Sequence, residues 1–347
     1  MLSQASLDDL RSRLEGASSP VFLFDNDADG LCSFLLARRA LGKGKGIPVR
    51  SYPELDVGYM EQALILGADL VVVLDKPFIS EKSIQFLHER SVPLLVVDHH
   101  VVPKKYSEEL TRAFTEYNPA LLSGIQNSAE PVSYLMYRAL GRKEDMWLMI
   151  AGCIADHYLP LEWAQFTLQF PSLSGEVKGP FEAYYATRIG QLAQFLNFGL
   201  KDSISHVNLL FTFLSACTEP TQVLGDEAPL SFRDKVHTLS GELDRLVDEQ
   251  KILGNLIVVH YGGATSMSAD VANKLSYLHP GKYILVAYRK GSVTNLSLRG
   301  IGVKNLFESL FPFFPGLMGG GHEDAVGGRI VSASIDSFIT AFQEKVA

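Results

Sequence analysis

Three short runs of apolar residues, each leading into an aspartate, constrain this chain more than any other feature. Residues 20–24 lead to Asp25, residues 69–74 (Asp-Leu-Val-Val-Val-Leu) to Asp75, and residues 92–97 to Asp98. Runs of strand length without polar alternation belong to strands covered on both faces. Between them, residues 31–41 and 80–90 carry helical periodicity. Strand and helix in alternation predict an α/β chain with a parallel sheet and helices on both faces. Ligands of such sheets bind beyond the carboxyl ends of the strands, which is where the three aspartates fall.

At 347 residues the chain exceeds one ordinary domain. Residues 131–200 read as helical, with an apolar stretch at 147–154 running into Asp156. Residues 218–230 are rich in Pro, Gly, Asp and Glu and read as a loop. Residues 231–253 form a long amphipathic helical pattern suited to joining two domains. A second, smaller α/β unit follows: a strand at 255–260, a helix at 268–278, and a hairpin of 283–288 with 293–298 around Lys290-Gly291. A Gly319-Gly320-Gly321-His322 loop and a last strand at 328–331 complete it. The expected domains are 1–200, a linker and connecting helix at 201–253, and 254–347.

Cys32, Cys153 and Cys217 are far apart in sequence and form no C-x-x-C pair, so neither a disulfide scaffold nor a zinc ribbon is expected. The first sixteen residues lack the apolar core of a signal peptide. No apolar run approaches the roughly 20 residues that span a bilayer. The expectation is a cytoplasmic protein with no membrane partner. A net charge of −8 argues against non-specific binding to duplex nucleic acid. It leaves room for a local basic groove, or for a bound cation that offsets acidic ligands.

Asp25-Asn26-Asp27-Ala28-Asp29-Gly30 puts three carboxylates in five residues, an arrangement that repels itself unless cations neutralise it. An EF-hand loop needs glutamate at its twelfth position; here that position is Leu36, and a strand precedes the loop. A solvated turn capping the next helix is the plain alternative. Asp75 alone is equally a helix cap. Asp98-His99-His100 offers carboxylate and imidazole ligands to a transition metal, or is a polar strand end. Asp156 is a further candidate, or a helix end.

As an ordered set, these segments resemble the four motifs of the DHH phosphoesterases: Asp25-Asn-Asp-Ala-Asp-Gly30, the post-strand Asp75, Asp98-His-His100 and Ile154-Ala-Asp156. Ser297-Leu-Arg299 followed by Gly319-Gly-Gly-His322 resembles the C-terminal domain that accompanies this module. Nanoribonucleases and pyrophosphatases of the superfamily carry histidine where this chain has Leu23. Asp25, two residues before Asp27, is similar to the D-x-D-A-D-G loop of RecJ-type nucleases. Asn118-Pro119, Ser133-Tyr134 and Leu159-Pro160 resemble the same branch. The chain lacks the extra oligonucleotide-binding domain of large bacterial RecJ proteins and so resembles a compact, archaeal-type relative.

The resemblance implies two-metal hydrolysis of phosphodiester bonds in single-stranded DNA or RNA, releasing mononucleotides from an end. It implies that Asp27 and Asp29 hold different ions, that Asp75 bridges them, and that His99 and Asp156 complete the coordination of the second ion. Mn²⁺ suits this donor set, with Mg²⁺ as a substitute. Two ions about 3.5–4 Å apart can activate a shared water. His100 is assigned to the scissile phosphate, and Asp25 and Asp98 to orienting the ligands. Arg299 and the backbone of Gly319, Gly320, Gly321 and His322 are assigned to the nucleotide strand. Three other readings stay open. One is a phosphodiesterase of short oligonucleotides such as nanoRNA, or of linear or cyclic dinucleotides. Another is an inactive scaffold among replication or repair proteins. The third is a pyrophosphatase, which Leu23 argues against.

Overall fold

The protein is described by a computed structural model covering residues 1–50, 54–101, 106–123 and 130–347. Its chain divides into two compact units, Met1–Arg233 and Asp234–Ala347. The division falls inside the helix Leu230–Asp248.

In the first unit five strands form a wholly parallel sheet: β1 (Pro20–Asp25), β2 (Lys45–Val49), β3 (Leu70–Leu74), β4 (Leu94–Val97) and β5 (Thr115–Tyr117). Their order is β2-β1-β3-β4-β5, so the winding reverses between β1 and β3. That reversal opens a crevice at the carboxyl edge, where a doubly wound sheet binds its ligand. The apolar runs alternate between two covered faces. Val21, Leu23, Val71, Val73 and Val96 pack with Met60, Ala63, Ile84 and Leu87 from helices Val57–Ile65 and Glu81–His88. Phe22 and Phe24 turn the other way, where Phe24 stacks on Phe34 of helix Ala28–Leu41 at 5.0 Å. Helices Val132–Leu140 and Met146–Ala155 pack onto helix Ala28–Leu41 in turn.

In the second unit six strands follow the order β10-β11-β9-β8-β7-β6. They are β6 (Lys251–Leu253), β7 (Leu256–Gly262), β8 (Tyr283–Lys290), β9 (Val293–Arg299), β10 (Met318–His322) and β11 (Ala325–Val331). Only β7 and β8 run parallel. One face buries Leu285, Leu296, Leu298 and Val326 against Phe307, Phe338 and Phe342. Helix Ser268–Leu278, with Val271, Ala272 and Leu275 buried, packs on β8 and β9.

Three sequence readings are corrected. Residues 319–322 are not a loop but most of edge strand β10. Gly319 and Gly321 adopt φ of +155° and +157° there, and a Cβ on either would overlap the β11 backbone. Glycine-rich sequence reads as a breaker, yet here it allows a close strand approach. The long helix stops at Asp248, and residues 251–253 pair with β7 across a turn at Gly254, φ +65°. The loop at 218–230 contains a short helix, Pro220–Leu224, closed by a reciprocal capping box of Glu219 and Gln222. Ile204–Ala216 forms a helix within the first unit. No helix among the described residues is long and apolar enough to cross a membrane.

Candidate metal centre

The site grows out of the carboxyl ends of β1, β3 and β4 and the end of helix Met146–Ala155. After β1 the chain turns sharply, and Asp27 becomes the N-cap of helix Ala28–Leu41, its Oδ1 accepting from the Gly30 N–H at 2.9 Å. Gly30 is required by proximity: a Cβ would overlap the carbonyl oxygen of Asp25. One residue into the helix, Asp29 is wholly buried. Its carboxylate accepts the Val132 N–H (2.7 Å), the Ser133 N–H (2.9 Å) and the Ser133 hydroxyl, at the start of helix Val132–Leu140. A carboxylate on a helix N-terminus is stabilised by the orphan N–H groups and the dipole.

Asp75 follows β3 with φ of +59°, a left-handed conformation rare for residues other than glycine. Its N–H donates to Val97 O, which ties it to β4. Asp98 extends β4 by donating to Tyr117 O. The Asp98 carboxylate holds His100 Nδ1 at 2.9 Å, and Asn118 donates to the His100 carbonyl. His99 Nε2 lies 3.2 Å from both Asp75 Oδ1 and Asp156 Oδ2. Asp156 caps the end of its helix and is followed by His157, again left-handed at φ +55°, with its ring stacked on Phe181 at 4.0 Å.

Two sets of three ligand atoms converge within 4.8 Å: Asp75, His99 and His100, and Asp29, His99 and Asp156. Octahedral bonds near 2.1 Å place neighbouring donors about 3 Å apart. The two separations of 3.2 Å, from His99 Nε2 to Asp75 and to Asp156, match that spacing, whereas His100 Nδ1, 3.7 Å from Asp75, is engaged by Asp98. Asp75 Oδ1 and His99 Nε2 are buried yet make no hydrogen bond of acceptable geometry. Buried polar atoms rarely go unsatisfied, so this pair fits a cation between them.

Electrostatics agree. Burial, then the charges of Asp25, Asp156 and Asp29, push Asp27 well above the usual carboxylate range. Burial, then Asp27 and Asp29, does the same to Asp75. Burial and Asp156 raise Asp29 to about 6, although His99 and Ser133 oppose them. Burial pulls His99 down, but Asp156 and Asp75 outweigh it and hold the imidazole well above its ordinary value. Burial raises Asp156 while His99 beside it prevails and lowers it. The cluster demands positive charge, which protons supply poorly and divalent cations supply well.

Most of the sequence-derived site residues therefore meet at one place. Asp27 stands in neither triad and reaches the cluster through its charge. Asp25 pairs instead with the buried Lys76, at 3.1 Å. Arg299 and Gly319 to His322 lie in the second unit, where register places Arg299, Ala325 and His322 in one row across β9, β11 and β10. Arg299 Nε already donates to Asn273 and Nη1 to Leu298 O. Sequence reasoning missed Lys76 as a site residue. The signal was available: a lysine directly after a strand-ending aspartate, on an otherwise acidic edge.

No family model and no curated protein matches the chain. Solved structures do. RecJ in complex with Mn²⁺ from Thermus thermophilus superposes with a TM-score of 0.66 at 16% identity, over 99% of this chain and 55% of that one. An exonuclease RecJ bound to manganese gives 0.62 at 18% identity, covering 99% and 95%. The pGpG-specific phosphodiesterase PggH of Vibrio cholerae gives 0.52 at 13% identity, covering 95% and 99%. The chain thus spans about half the length of the Thermus RecJ chain. At these identities the likeness establishes the fold, which is the RecJ-like DHH fold.

Proposed function

We propose that this protein is a metal-dependent phosphodiesterase that hydrolyses single-stranded nucleic acid, in line with the exonuclease RecJ of the same fold. The observation that carries this reading is the convergence of Asp29, Asp75, His99 and Asp156 at the switch point of the parallel sheet, with Asp75 Oδ1 and His99 Nε2 buried and unsatisfied.

Asp75, His99, Asp156 and Asp29, with Asp27 beside them, are the residues to hold two divalent cations. Mn²⁺ is the favoured ion and Mg²⁺ the substitute, because imidazole joins the carboxylates. Such a pair supplies Lewis acidity to phosphoryl oxygens and lowers the pKa of water. The remaining work falls to the chain. Asp98 fixes the His100 ring through Nδ1, which leaves Nε2 to meet a phosphate oxygen. Asp25 and Lys76 brace the first loop. The row of Arg299 and His322, with the exposed backbone of β10, is suited to a nucleotide strand.

A second reading, an enzyme of short oligonucleotides or dinucleotides, is favoured by the net charge of −8, since a long strand needs an extended basic track. Turnover of end-labelled dinucleotides and long strands, DNA and RNA, with Mn²⁺ or Mg²⁺ decides between them. Faster cleavage of long strands supports the first reading and faster cleavage of dinucleotides the second. No cleavage of either sinks both.

A further inference from the structure

Helix Arg188–Leu200 reaches the first loop on both sides of Asp27. The Asn26 side chain donates through Nδ2 to the Leu200 carbonyl at 3.2 Å, and the Ala28 N–H donates to Asn197 Oδ1 at 2.8 Å. A single turn of helix therefore serves both bonds. Ala28 is the first residue of its own helix, where an N–H has no partner within the helix. Asn197 supplies that partner from outside. It does so with a neutral amide, where a carboxylate would add a fourth charge to a loop that already carries Asp25, Asp27 and Asp29. The amide is itself held: Nδ2 donates to the Tyr184 hydroxyl at 3.2 Å, which turns the oxygen toward Ala28. Gln194, one turn earlier, donates to the Tyr184 carbonyl at 2.8 Å. The Tyr184 ring stands edge-on to His157 at 5.7 Å, and His157 follows Asp156. Asn197 thus stands between the segments that carry Asp29 and Asp156, two members of one ligand triad.

Carboxylates so placed repel one another until a cation arrives. A loop free to relax would swing them apart, and the cation would spend part of its binding energy bringing them back. Resting on the metal-dependent reading above, we propose that Asn197 is a positioning residue for the metal centre. Its amide keeps the Asp27–Asp29 loop in the ligand-bearing conformation before any ion binds. It touches neither ion nor substrate. Its effect falls on the affinity for the metal, and so on the metal concentration that hydrolysis needs, while turnover at saturating metal is left close to that of the unaltered protein.

Calorimetric titration of the full chain with Mn²⁺ tests this, at a temperature where every variant is fully folded in chelator. Under that condition lost stability alone leaves the affinity unchanged. Asn197→Ala removes both bonds and should weaken Mn²⁺ binding at least about tenfold, the low end for residues that orient metal ligands. Asn197→Asp keeps the acceptor for the Ala28 N–H and should recover most of that loss. Tyr184→Phe releases the amide without touching the loop and should give a smaller loss in the same direction. It decides the matter alone if Asn197→Ala does not fold. In cleavage assays the half-saturating Mn²⁺ concentration should rise for Asn197→Ala with the plateau rate held. Affinities of the folded variants within about twofold of wild type overturn the positioning role. So does a plateau that falls while the affinity holds, which would place Asn197 in the chemistry itself. Either result leaves the phosphodiesterase reading intact if wild type cleaves with Mn²⁺. A wild type that binds Mn²⁺ as expected but hydrolyses nothing overturns that reading and leaves the role of Asn197 standing. A wild type that binds no Mn²⁺ overturns both.

Discussion

At residue 75 a carboxylate is held in a left-handed backbone conformation, buried among other carboxylates, with one oxygen unsatisfied. Asparagine tolerates the same backbone and nearly the same volume, so Asp75→Asn removes charge and little else. Cleavage in Mn²⁺ should fall at least about a hundredfold, the upper range for disturbing a metal shell. The metal-free variant should also gain stability, on the order of 1–3 kcal/mol, because a buried charge has gone. Chemical denaturation in chelator measures this, and a variant that cleaves normally would dismiss Asp75 as a ligand. The pH dependence follows from the same physics. Asp29 has a folded pKa near 6, above its unfolded value, so its contribution to stability is full below about pH 4 and is lost as pH rises through 6. Asp27 and Asp75 shift the same way, whereas Asp156, lowered, pulls oppositely. At 1.36 kcal/mol per unit, Asp29 alone accounts for roughly 3 kcal/mol. Metal-free protein should therefore melt lower at pH 7 than at pH 5, and Mn²⁺ should reverse the order. The acids were legible in the sequence because Asp75, Asp98 and Asp156 each follow an apolar run, and Asp27 and Asp29 crowd with Asp25 in one loop. The left-handed residues Asp75 and His157 were not, because nothing local distinguishes them from ordinary strand and helix ends.

Among the elements, β10 separates two roles that one glycine triplet hides. Gly319 and Gly321 have positive φ and no room for a Cβ, whereas Gly320 has open space around it. Gly321→Ala should destabilise the second unit by about 1–3 kcal/mol. Gly320→Ala should stay within about 0.5 kcal/mol in denaturant melts yet weaken strand binding, if the exposed backbone of β10 meets phosphate. Equal destabilisation by both would contradict this division. The hairpin of β8 and β9 and the helix Ser268–Leu278 were readable from alternation and periodicity. Strand β10 was not, since glycines carry no hydrophobic pattern, and neither was β6, whose three residues continue an amphipathic helical pattern.

For the whole molecule, the parallel sheet was legible because both its faces are buried, which leaves uninterrupted Val and Leu runs in β3 and β4. The extent of the first unit was less so: apolar helices at 188–216 signal burial without saying against what. All candidate metal ligands lie within Met1–Arg233. A cation at a hundred times its dissociation constant adds about 2.7 kcal/mol to the state that binds it. Hydrogen exchange should then slow in the strand and helix ends around Asp29, Asp75, His99 and Asp156 on adding Mn²⁺, and not in β7 to β9. Uniform slowing across both units would show that they unfold together. Asp29 gives this a further consequence for anyone redesigning the protein. Its carboxylate secures the first turn of helix Val132–Leu140 as well as facing the ligand cluster. If the proposed ligand set holds, positions 156 and 99 are the ones to vary for ion preference, because a library at position 29 would select for an intact scaffold before it selected for any metal.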